Sequence, residues 1–183
     1  EISKSGWKIL LARDPDVLEK ITPLLEVSNS ESQLYVSKML IRMYESKTHG
    51  ELWRYQSYEA SIKVVFASLT VLGSSASSAK SHVVKATSRV FWIAAYCVVM
   101  HRTNTSKKKR KSPVGGRERV YLRQKVSIDD LHNCLTFLQT NNELSHHYKK
   151  EVYCNILGGL SCLLNLKDFY FAQNDEAIID YIV

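Results

Sequence analysis

Eleven consecutive positions from Val90 to Met100, VFWIAAYCVVM, carry no charged side chain. An amphipathic surface helix spaces its apolar residues at i, i+3, i+4 and i+7, so a run this uniform has no side reserved for water. It is also well short of the roughly 20 residues that cross a bilayer. Lys80, Lys85 and Arg89 mark an exposed side just before it. The pattern predicts a helix over about 79–102 that begins at the surface and ends inside the core, contacted from several directions. The rest of the chain must supply those contacts.

It does so with more helices. Only three prolines and seven glycines stand among 183 residues that are 45% hydrophobic, which favours helices over a turn-rich β fold. Asp14 and Pro15 form a helix start, and Pro23 inside the pattern Val17, Ile21, Leu24, Leu25 predicts a break near Thr22. Ser28 to Glu31 fits a capping box for a second helix with Val36, Met39, Leu40 and Met43 on its buried face. A third helix over 51–72 closes at Gly73. Beyond the central helix, 120–126 reads as either extended chain or helix. Ser127 with Asp130 starts a helix whose face is Leu131, Cys134, Leu135 and Leu138, and Asn141-Asn142 makes a turn. The next helix, with Ile156, Leu157, Leu160 and Leu164, contains Gly158-Gly159, which points to a close helix crossing. An aromatic connector over 167–173 and a short helix over 175–182 complete about seven helices in a single domain, 1–183. The start at Glu1 without methionine suggests a domain excised from a longer protein.

Charge is concentrated in one place. TNTSKKKRKSPVGGRER, residues 103–119, holds seven of the 25 Lys and Arg and one acid, which is +6 of the chain's net +7. It reads as a flexible loop between helices, since like charges at this density repel and Pro113, Gly115 and Gly116 break regular structure. Lys107, Lys108, Lys109, Arg110 and Lys111 look like a nuclear localisation signal that an importin groove would read, and Arg117 and Arg119 extend the cluster. The plain alternative is a solvated lysine loop. A third reading is phosphate binding to nucleic acid, although no aromatic residue lies in the loop to stack on bases. Ser112-Pro113 is a candidate phosphorylation site beside the cations.

The segment Ile21 to Ser46, ITPLLEVSNSESQLYVSKMLIRMYES, resembles one repeat of the HEAT or armadillo type. Pro23, Leu24 and Leu25 would end its first helix; Val36, Leu40 and Met43 would line the second. A weaker echo lies at Leu131 to Leu164. The resemblance implies an all-α, irregular α-solenoid whose relatives mostly bind proteins along a stacked surface. An antiparallel helical bundle is the competing architecture.

No catalytic signature stands beside this. There is no GxSxG, no phosphate-binding glycine loop and no HExxH, and the six histidines do not cluster; neither a metal nor a cofactor is expected. Cys97, Cys134, Cys154 and Cys162 form no CxxC pair and read as reduced cysteines of a nuclear or cytoplasmic protein. Asn104-Thr105-Ser106 is a glycosylation sequon that would matter only in a secreted chain. Trp53, Tyr58, Phe169, Tyr170 and Phe171 are candidate anchors for a partner, with core filling as the alternative. The expected function is a noncatalytic interaction domain of a nuclear scaffold, binding a partner peptide or helix and no membrane. The runner-up is a nucleic-acid module acting through 103–119.

Overall fold

The computed structural model describes residues 14, 16–27, 29–44, 58–75, 81–109, 124–126, 129–164, 166 and 169–171. Six helices run in order: α1 (Val17–Leu25), α2 (Ser30–Tyr44), α3 (Tyr58–Ser75), α4 (Ser81–Lys109), α5 (Asp129–Thr140) and α6 (His146–Leu164). The final helix expected over 175–182 lies outside the described residues.

Local chemistry sets the helix ends, with some differences from expectation. Helix α1 starts at Val17 behind Asp14, whose carboxylate accepts from the Asp16 amide at 3.1 Å and pairs with Lys20 at 2.6 Å. No break occurs at Thr22. Pro23 falls in the last turn, where its missing amide removes the single bond back to the Glu19 carbonyl, and the Thr22 hydroxyl donates back to the Leu18 carbonyl at 2.6 Å. At the start of α2, Asn29 Oδ1 accepts from the amides of Glu31 at 2.9 Å and Ser32 at 3.4 Å, while Ser28, the expected cap, lies outside the described residues. Helix α3 continues through Gly73 to Ser75. At the start of α6, Ser145 Oγ accepts from the Tyr148 amide at 3.2 Å.

The central helix is longer than its apolar run suggests. It passes Arg102 and reaches Lys109, so Lys107, Lys108 and Lys109 belong to a helix rather than to a loop opening at residue 103. The physical reason is that lysine is a good helix former. Packing of the earlier turns has already met the nucleation cost. The stretch Ser81–Thr103 is long and apolar enough to cross a membrane, yet more than half of it is buried against the other helices.

Two rows of helices result. Helix α3 packs between α1 and α5 in one row, and α4 packs between α2 and α6 in the other, while the rows join through α1 against α2 and α3 against α4. The outer members, α1 with α5 and α2 with α6, share no substantial packing among the described residues. Each helix therefore neighbours the next but one along the chain. The core lies between the rows, with Leu18, Leu40, Met43, Val64, Phe91 and Leu138 inaccessible to solvent.

Two short strands complete the fold. Gln124–Val126 (β1) and Phe169–Phe171 (β2) pair in parallel, Gln124 opposite Phe169 and Val126 opposite Phe171. This resolves 120–126 as extended at its end, and it replaces the aromatic connector with a paired strand. The ribbon ties the chain entering α5 to the chain leaving α6.

Candidate partner-binding groove

Helix α4 meets α6 at the two glycines. A Cβ on Gly159 would lie 2.2 Å from the ring of Phe91, and one on Gly158 would lie 2.7 Å from Trp92 Nε1. The close crossing expected from the sequence is present, and the missing side chains make room for two aromatic rings. Buried polar contacts hold the same row together: Ser37 Oγ lies 3.2 Å from Thr87 Oγ1, and Asn155 Nδ2 donates to Ser88 Oγ at 3.0 Å. Tyr148 donates its hydroxyl to the Ser81 carbonyl.

Above this layer the row opens into a groove of about 500 Å³. Leu34, Lys38 and Ile41 line it from α2, His82, Lys85, Ala86 and Arg89 from α4, and Glu151 from α6. Spacings of three, four and seven place each helix's contributors on one face. Lys85 Nζ pairs with Glu151 Oε2 at 2.7 Å, and the Arg89 guanidinium stacks 4.6 Å from the Trp92 ring centre. Lys38 pairs with no acid among the described residues. Large exposed side chains stand on the same helices, Tyr35 at 63% and Tyr96 at 48% exposure.

The other row has a groove of opposite character. Glu19, Glu26 and Glu59 edge about 540 Å³ over Thr22, Pro23, Ile62 and Phe66, and Lys63 pairs with Glu19 at 3.2 Å. The contrast extends to whole helices. Helices α2, α4 and α6 carry ten Lys and Arg against two Glu, whereas α1, α3 and α5 carry two Lys against four acids. Without Lys107–Lys109 of the basic segment the first count is still seven against two, so the near neutrality of the rest of the chain conceals a division of charge between the two rows.

The residues singled out from sequence do not converge here. Tyr58 is in the core at 5% exposure, its ring edge-on to His101 at 6.3 Å, so it is not a surface anchor. Its position at the start of α3 turns it against α4. Phe169, Tyr170 and Phe171 form β2. Trp53, Arg110, Lys111, Ser112, Arg117 and Arg119 lie outside the described residues. Lys85 and Arg89 were readable as an exposed side. Their meeting with Lys38 across two helices was not, because no local spacing links residue 38 to residue 89.

The buried cysteines and His101 behave as core groups. Burial pushes the thiols of Cys97 and Cys134 up to about 12 and raises that of Cys162, the opposite of an activated nucleophile. Burial likewise lowers His101 below its usual 6.5. Among the described residues no three His, Cys, Asp or Glu side chains gather to hold a metal. Comparison with family models, with curated proteins and with solved structures finds no match.

Proposed function

We propose that this chain is a noncatalytic protein-interaction module of irregular HEAT or armadillo-like build, holding a segment of a partner along the row α2, α4 and α6. The observation that carries this reading is the groove itself: an apolar strip from Leu34, Ile41 and Ala86 rimmed by Lys38, Lys85 and Arg89. Stacked helical rows present such surfaces without needing a catalytic constellation. The basic cluster from Lys107 to Lys111 supports a nuclear setting through importin, with the chain as part of a larger scaffold. Crosslinking of the full chain to its captured partners, followed by mapping of the linked residues, tests the reading. Links concentrated on α2 and α4 support it, and links confined to the opposite row contradict it.

A nucleic-acid reading has one observation in its favour. The ten-to-two excess of cations on α2, α4 and α6 includes Lys107–Lys109, which continue the same helix as Lys85 and Arg89. Replacing Lys107 to Lys111 by alanine would abolish oligonucleotide binding on this view and leave partner binding intact on the first.

A further inference from the structure

We infer that the groove between α2 and α4 takes an acidic amphipathic helix of a partner protein, an inference that rests on the interaction-module reading and specifies its ligand. The groove is about two helical turns long, since Leu34 to Ile41 and His82 to Arg89 each span seven residues, roughly 10 Å of rise. A docked helix presents anchors at i, i+3 or i+4 and i+7, which matches that length. Leu34, Ile41 and Ala86 offer the apolar strip for those anchors.

The rim selects charge. Lys38 and Arg89 stand on facing helices, so carboxylates flanking the anchors meet a cation on either side. Trp92 restrains the Arg89 guanidinium by stacking, which reduces the conformational freedom lost on binding. Glu151 sets the polarity of the site. It pairs with Lys85 at 2.7 Å and lies 3.9 Å from His147 Nε2, so Lys85 is already neutralised and a further carboxylate at that end gains no free cation. A helix with its acids over Lys38 and Arg89 and a neutral or basic residue beside Glu151 fits this distribution. A nucleic-acid backbone, negative throughout, finds its cations at the Lys38 and Arg89 end alone, since Lys85 is already paired with Glu151.

The test is fluorescence anisotropy with the full chain and three labelled peptides of about 16 residues, long enough to cross the row. All carry leucine at helical spacing; the positions facing Lys38 and Arg89 are Glu, Gln or Lys, and the position beside Glu151 is Gln in all three. A single-stranded oligonucleotide is the fourth probe. The Glu peptide should bind at least tenfold more tightly than the Gln peptide. Lys38→Glu should weaken it about threefold or more, and Lys38→Glu with Arg89→Glu should reverse the preference toward the Lys peptide. Circular dichroism checks that these surface variants stay folded. Equal binding of Glu and Gln peptides that Ile41→Asp abolishes would overturn the charge assignment while sparing the module reading. Binding of the oligonucleotide alone would overturn both, and no binding of the Glu peptide at about millimolar protein would overturn the inference.

Discussion

Gly159→Ala puts the packing of α6 on α4 to a direct test. The added Cβ would lie 2.2 Å from one ring carbon of Phe91 and 2.6 Å from the next. Ordinary contact begins near 3.4 Å, so ring and helix must separate by about 1.2 Å. Phe91 is fully buried and has no empty side to move into. Overpacking of this kind costs about 1–3 kcal/mol, with this contact toward the upper end, while alanine regains about 1 kcal/mol of helix propensity. The net expectation is about 1–2 kcal/mol of destabilisation. Gly158→Ala is the internal control. Its neighbour Trp92 is only half-buried and can yield outward, so that variant should be neutral or more stable by up to about 1 kcal/mol. Urea unfolding followed by circular dichroism should separate the two midpoints by about 1 M, taking a slope of about 2 kcal/mol/M. Adding Phe91→Leu to Gly159→Ala should cost less than the two changes summed, with a coupling of about 1 kcal/mol. Coincident midpoints for the two alanine variants, or strict additivity with Phe91→Leu, would refute the close crossing.

Three further expectations follow from the buried polar and titratable groups. Asn155→Ala removes the donor to Ser88 and should cost about 1–2 kcal/mol, whereas Asn155→Asp buries a carboxylate and should cost about 3 kcal/mol or more; equal midpoints would contradict that burial. His101 holds its proton less tightly when folded than its usual 6.5, so the unfolded chain binds more protons as pH falls below that value. Stability should be full above about pH 6.5 and decline on acidification toward the folded value, and His101→Gln should flatten that slope in melts across the range. Iodoacetamide at pH 8 should modify exposed Cys154 first and reach Cys97 and Cys134 only on unfolding; mass spectrometry showing Cys97 alkylated as fast as Cys154 would be the contrary result.

The uniform apolar run from Val90 to Met100 pointed by itself to a helix packed on several sides, because eleven uncharged positions leave no charged face for water and are too few to span a bilayer. Periodicity likewise made five more helices legible, and Gly158-Gly159 announced a close crossing. Element ends were less legible. That Asn29 reaches the first amides of α2 depends on the backbone at the turn, and whether α4 stops at Arg102 or reaches Lys109 depends on support from earlier turns. The strand at 169–171 exists only through its pairing with 124–126, a contact across more than forty residues of chain. Tyr58 could be placed only by knowing that α3 lies against α4. The groove belongs wholly to the tertiary structure. Lys38 and Arg89 are unremarkable on their own helices, and they acquire a shared site only because alternate helices stack into one row, bringing residues about fifty positions apart to facing sides of a single cleft.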